Sequence, residues 1–297
     1  MRKLLFLFLG VSFVIVSTGL IVVYKRLHRP KPQPVEIKPK PEVKITLLEG
    51  WTVIDVSKAV EARGLYMAKD FLDSEKNFDS SAYPNVFRPH NADLEGYLFP
   101  DTYQVFEDST PGDLIRKMLT NFEKKWSALE PNYQNGQIIV PGFENQKFAD
   151  SLPGITPYEV LTLASIIEKE TGRDLTNKDA NSLERLLTER KTVAGIFYNR
   201  LKIGMALESD ATINYITKSN QAQATIEQTK IKSPYNTYLN PGLPPGPICN
   251  PSAMSIEAAL NPIKTDYYFF LHKQPSGEVV YSKTLDEHIK NKYRFLR

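Results

Sequence analysis

Residues 156–172 read TPYEVLTLASIIEKETG. A threonine before a proline, with a glutamate three residues on, makes a capping-box start with Pro157 at the first helical position. Val160, Leu163, Ala164 and Ile167 recur at helical spacing and form the buried stripe of the predicted helix. Gly172 follows as a C′ residue. Glu170 flanks one side of the stripe, Glu168 flanks the other, and Lys169 points away. A carboxylate in the last helical turn opposes the macrodipole. Partial desolvation beside apolar neighbours would keep Glu170 protonated, which is the state a general acid needs. An unfavourable charge retained there marks a candidate functional group.

Working outward, a second helix over 182–202 turns Leu186, Leu187, Val193, Ala194, Phe197 and Leu201 inward. The loop SPYNTYLNPGLPPGPICNPS, 233–252, is crowded with Asn, Pro and Gly. Loops of that length are usually functional or disordered, and Tyr235 and Tyr238 argue for order. YYFFLHKQPSGEVVYS, 267–282, predicts a hairpin turning at Pro275-Ser276-Gly277, and a helix from Leu285 closes the chain. On the amino-terminal side VKITLL, 43–48, has strand character, Glu49-Gly50 makes a turn, and a helix follows until Gly64. The aromatic stretch LEGYLFPDTYQVF, 94–106, is expected to place its rings in the core. Residues 111–130 predict an amphipathic helix.

The amino-terminal end differs in kind. Residues 4–24, LLFLFLGVSFVIVSTGLIVVY, carry no charge and are long enough to cross a hydrocarbon core as a helix. No A-x-A-like cleavage site follows, so an uncleaved anchor is expected rather than a signal peptide. Residues 30–41, PKPQPVEIKPKP, favour extended polyproline II, a semi-rigid spacer reaching roughly 30–40 Å. The net charge of +3 hides an uneven split. Residues 1–44 hold nine basic and two acidic side chains, or +7, leaving the remainder at −4. A basic nucleic-acid-binding body is thereby excluded. Charges before and after the span nearly balance, so the positive-inside rule leaves orientation open.

These features predict an α+β fold with a single transmembrane helix, a small module and a mixed α/β main domain. The expected boundaries are a short end (1–3), anchor (4–24), Pro/Lys-rich linker (25–43), small module (44–90) and main domain (91–297). One cysteine, Cys249, precludes an internal disulfide and is read as inert, since no local signature supplies a basic partner. Four scattered histidines give no HExxH helix, and neither a GxxxxGK[ST] loop nor a GxSxG elbow occurs. No cofactor is expected.

ASIIEKETG (164–172), VAGIFYNRLKIGM (193–205), SDATINY (209–215), the 233–252 loop and LEGYLFPDTY (94–103) together resemble the endolytic murein transglycosylases, the MltG or YceG-like family. The resemblance spans roughly residues 45–297 and includes the preceding anchor. It implies that the small module is LysM-like and that Glu170 is the catalytic acid. Ala211 stands where the family commonly has proline, and Glu208 where glutamine is common.

The implied reaction cleaves the MurNAc–GlcNAc β-1,4 bond within a glycan strand and leaves a 1,6-anhydro end. Peptidoglycan strands are thus the expected partner, with peptidoglycan synthases beside it and the membrane reached through one helix. The substrate's location implies a cytoplasmic amino terminus and an extracytoplasmic body at the cell inner membrane. Asn236, Tyr235, Tyr238, Asp210 and Asn199 are the candidate substrate-binding residues. Two rivals stand beside this reading: a two-carboxylate muramidase using Asp210 or Glu208, and an inactive peptidoglycan-binding scaffold.

Overall fold

Thr52 opens the first helix of the body through a reciprocal capping box. Its hydroxyl accepts from the Asp55 N–H, and the Asp55 carboxylate accepts from the Thr52 N–H. This computed structural model describes residues 23–26, 41–89, 92–134, 136–144, 154–172, 179–221 and 223–296. Chain contacts separate Met1–Lys40 from Pro41–Arg297. Of the first unit only the helical residues 23–26 are described. The expected anchor therefore lies outside the described residues apart from Val23 and Tyr24, as does most of the linker. Among the described residues no helix is long and apolar enough to cross a membrane.

The second unit begins with β1 (Glu42–Thr46), α1 (Val53–Ala62), α2 (Ala68–Lys76) and β2 (Thr102–Phe106). β1 and β2 pair antiparallel from Glu42 opposite Phe106 to Thr46 opposite Thr102. The opening strand thus pairs with one lying beyond residue 90. Gly64, at φ +73°, ends α1 in the left-handed conformation that glycine adopts without strain. α2 carries no periodic signal beyond Phe71 and Leu72, so the sequence reading passed over it.

α3 (Pro111–Ala128) has its own capping box from Thr110 and Asp113. It buries Leu114, Ile115, Met118, Leu119, Phe122 and Trp126, the stripe its periodicity predicts. Tyr97 meets Phe122 edge-to-face at 5.0 Å between ring centres, and Phe122 stacks on Trp126 at 5.7 Å. Three of the four rings of the 94–106 stretch are core, Tyr97, Phe99 and Tyr103 being buried, while Phe106 is exposed. Only its second half is strand.

A short hairpin, β3 (Tyr133–Gln134) and β4 (Gln137–Ile138), leads to α4 (Pro157–Thr171). α5 (Ala180–Lys202), α6 (Asp210–Thr217) and α7 (Ala253–Leu260) follow. α4, α5 and α7 pack on one another. Gly195 lets α5 lie against the segment that follows α7, where an added Cβ would fall 2.1 Å from the Ile263 carbonyl oxygen. β5 (Phe269–His272) and β6 (Val279–Ser282) form the expected hairpin, and α8 (Leu285–Phe295) follows. One apolar cluster runs from Ile45 through α3 and α4 to Leu260. Each large side chain buried in it stabilises the fold by roughly 1.5–3 kcal/mol. The result is an α+β body.

Gly172 departs from the expected C′ role. Its φ of −66° is open to any residue. Glycine is needed there for space, because a Cβ would sit 2.5 Å from the Glu168 carbonyl oxygen.

Candidate active site

α4 ends in Glu168-Lys169-Glu170-Thr171, and the structure separates the two glutamates that the helical wheel leaves together. Glu168 is buried. It accepts from Arg190 Nη2 at 2.8 Å, from the Ser252 N–H at 3.0 Å and from Ser252 Oγ at 2.6 Å. Arg190 also donates to Thr171 Oγ1 at 3.2 Å and Ser252 Oγ at 2.6 Å. This ion pair ties α4, α5 and the start of α7 together. Every oxygen of Glu168 is committed to that purpose.

Glu170 has other partners. It is half-buried and lines a cleft of about 890 Å³ whose walls include Glu49, Gly50, Asp101, Asp210, Asn214 and His272, with the Glu168–Arg190 pair at its edge. Ser209 Oγ donates to its Oε1, and the Ala211 N–H also reaches it. Ser209 is the N-cap of α6, yet its hydroxyl makes no cap bond and goes to Glu170 instead. The positive end of α6 is therefore aimed at the carboxyl group. These donors favour the charged form, and the nearby Asp210 opposes it. Burial outweighs the donors, so the carboxyl pKa lies above its ordinary value. A carboxyl group with a raised pKa at an open cleft suits the donation of a proton to a bound ligand.

Ser209 is held in turn. Its N–H donates to Thr237 Oγ1 at 3.1 Å. Arg200 fixes the preceding loop through the carbonyls of Leu207 (2.7 Å), Ala206 (3.3 Å) and, across the hairpin, Tyr268 (2.7 Å). His272, at the end of β5, enters the same cleft with Nε2 3.2 Å from Glu189 Oε1.

The predicted binding residues divide into three groups. Asp210 lines the cleft with Glu170, and Tyr238 Oη donates to its Oδ1 at 2.7 Å. Burial and that carboxylate push the Tyr238 hydroxyl pKa up, so it stays a donor. Tyr235 lies in a neighbouring cleft, its ring 5.0 Å from that of Tyr215. Asn236 and Asn199 correct the expectation of substrate contact. Asn236 is fully buried; its amide donates to the carbonyls of Thr229 (3.0 Å) and Ile231 (2.8 Å) and accepts from the Tyr238 N–H. Asn199 donates to the carbonyls of Thr265 and Tyr267 at 2.8 and 3.0 Å. Both amides order loops that carry the site.

Glu208, the other proposed second carboxylate, is exposed, takes φ +49° and does not line the cleft. Cys249 is buried with Sγ 3.3 Å from the Ser165 carbonyl oxygen, and burial drives its thiol pKa well up. That is an inert cysteine. Ser209 and His272 were not singled out from sequence. Ser209 is readable as an N-cap, but nothing local says that its hydroxyl turns toward Glu170. His272 has no local signal at all.

Asn250 joins the amino-terminal elements to this body. Its backbone bonds Trp51 and Gly50, its Oδ1 accepts from Leu98, and its Nδ2 donates to Trp51 and Glu95. Glu95, buried beside it, accepts from the Val53 N–H in the first turn of α1.

The chain is 34% identical over 264 residues to a protein of Bacillus subtilis named endolytic murein transglycosylase, a match covering 85% of this chain and 65% of the relative. A protein of the same name from Streptococcus pneumoniae is 35% identical over 203 residues, covering 67% of this chain and 31% of the relative. The chain thus spans just under two thirds of the first relative and about a third of the second. A crystal structure of a yceG-like protein from Listeria monocytogenes superposes with a TM-score of 0.63 at 30% identity, covering 86% of this chain and 77% of that one. The profile of the YceG-like family matches residues 22–294, and the chain belongs to that family.

Proposed function

We infer that this chain is a lytic transglycosylase acting on peptidoglycan, cutting the MurNAc–GlcNAc β-1,4 bond inside glycan strands. The observation that carries the reading is Glu170, a carboxyl group at an open cleft, gripped by Ser209, whose pKa burial raises. Protonated Glu170 gives its proton to the glycosidic oxygen as the C1–O bond breaks. The carboxylate so formed takes the proton of the C6 hydroxyl on the same MurNAc, whose oxygen closes on C1. The products are a free 4-hydroxyl on one fragment and a 1,6-anhydro end on the other, with Glu170 protonated again. No water enters, so one carboxyl group suffices.

Asp210, in the same cleft, favours one rival reading: a muramidase in which a second carboxylate forms a covalent intermediate or activates water. Digestion in isotopic water separates the two. The transglycosylase gives anhydro ends without solvent oxygen, and the muramidase gives reducing ends that carry it.

The uncharged run at 4–24 supports a single-pass anchor with the amino terminus in the cytoplasm and the body outside, at the inner membrane. A carboxy-terminal reporter is then active only beyond the membrane. The order β1–α1–α2–β2, with its outer strands paired antiparallel, supports a LysM-like module that closes at Phe106. In this reading the enzyme trims nascent strands beside the peptidoglycan synthases and so ends their elongation.

A further inference from the structure

A second cleft, of about 670 Å³, opens between α1, α2 and α6 and meets the Glu170 cleft at Lys169, Ala211 and Asn214, which line both. The two clefts thus lie side by side along α6. The second cleft falls in the ~300–1,000 Å³ range of sites that enclose a small organic ligand, and a disaccharide segment is of that size. Its wall carries Tyr215 and Tyr235, half-buried rings 5.0 Å apart and tilted by 43°. Its floor carries the buried carboxyl groups of Glu75 and Glu95. Its rim mixes acidic and basic side chains, so neither a polyanion nor a polycation is favoured.

Aromatic faces beside buried hydrogen-bonding groups suit one ligand class in particular. A pyranose presents an apolar C–H face to a ring and hydroxyl or acetamido groups to its sides. The geometry points to a second saccharide subsite here, in which Tyr215 and Tyr235 hold the glycan strand beyond the sugars that straddle Glu170. This rests on the glycan-cleaving reading above and extends it: two clefts side by side hold the strand internally rather than by its end.

The test uses the full chain and a peptide-free, uncrosslinked glycan octasaccharide. In the Glu170→Gln protein, which binds but turns over far more slowly, the octasaccharide slows amide hydrogen exchange across 214–219 and 233–235. In the active protein Tyr235→Ala raises KM for long glycan about tenfold, the loss of one ring contact, with the smaller change in kcat. Tyr235→Phe, which keeps the ring, restores KM. Exchange that is unaltered in those segments overturns the subsite, and so does a Tyr235→Ala loss confined to kcat. The exchange measurement stands even where Tyr235→Ala destabilises the fold. Turnover by Glu170→Gln at the wild-type rate would instead defeat the assignment of the acid, so the two failures are distinct.

Discussion

Glu168 and Glu170 sit two residues apart on one helix, and the fold gives them opposite surroundings. Glu168 points into the packed seam of α4, α5 and α7, where a guanidinium and a serine use all of its acceptor capacity. Glu170 points into a cleft, where a hydroxyl and a helix N-terminus hold it but a face stays open. The same chemical group is thus a strut in one place and, in the proposed reaction, a proton donor in the other. A carboxylate fully engaged by a cation cannot donate, and a desolvated one beside neutral donors can.

The comparison breaks most visibly on the strut side. Arg190→Met leaves the Glu168 carboxylate buried without its cation and should cost about 3–5 kcal/mol of stability, read by thermal or denaturant unfolding. A cost under 1 kcal/mol would mean that the seam does not depend on the pair. Glu170→Gln should leave stability nearly unchanged, since the site gives up only a partly solvated group.

Glu75 supplies a third environment. Burial pushes its pKa up to about 7 against backbone donation from Leu94. The folded chain therefore binds a proton that the unfolded chain releases at lower pH. The stability this contributes is complete below the unfolded pKa and is lost as pH rises from about 4.5 to 7, by about 3 kcal/mol. Glu75→Gln should remove that slope from the pH-dependence of unfolding. An unchanged slope would place the titration elsewhere.

On the donor side the effects are smaller and fall on activity. Ser209→Ala removes the hydroxyl that favours the charged form of Glu170. It should lower kcat roughly tenfold and move the alkaline limb of the rate profile to higher pH. Ala211→Pro deletes an N–H that reaches Glu170, at a first-turn helix position where proline is tolerated. It should shift the limb the same way by less. A shift to lower pH in either variant would show that these donors do not set the acid. Thr156→Ala, which removes the α4 cap far from the cleft, should cost about 1 kcal/mol of stability and leave the limb in place.

How much of this was legible in the sequence follows from the range of each interaction. The capping box and stripe of α4 are local, and the helix begins at Pro157 as read. The same holds for α3 and for the β5–β6 hairpin. α2 and α6 were passed over because they are short and only partly apolar. The choice of Glu170 over Glu168 came from family resemblance, since the wheel places both on the flanks. What separates them physically is Arg190 on one helix and Ser252 and Ser209 on two others, contacts between residues 20 to 80 apart in the chain. Asn236 and Asn199 misled for a related reason. Polar residues in an Asn- and Pro-rich loop suggest ligand contact, but buried backbone carbonyls need donors first. Tyr235 lies in the adjoining cleft because the 233–252 loop folds back across α6.

The most direct test of the central claim is the mass of the glycan products made by the wild-type protein and by Glu170→Gln. The wild type should yield 1,6-anhydro ends, lighter by one water than hydrolytic ends. Glu170→Gln should cut about 10²–10⁴-fold more slowly while keeping its fold. Reducing ends carrying solvent oxygen, or a Glu170→Gln protein as fast as wild type, would contradict the role given to Glu170.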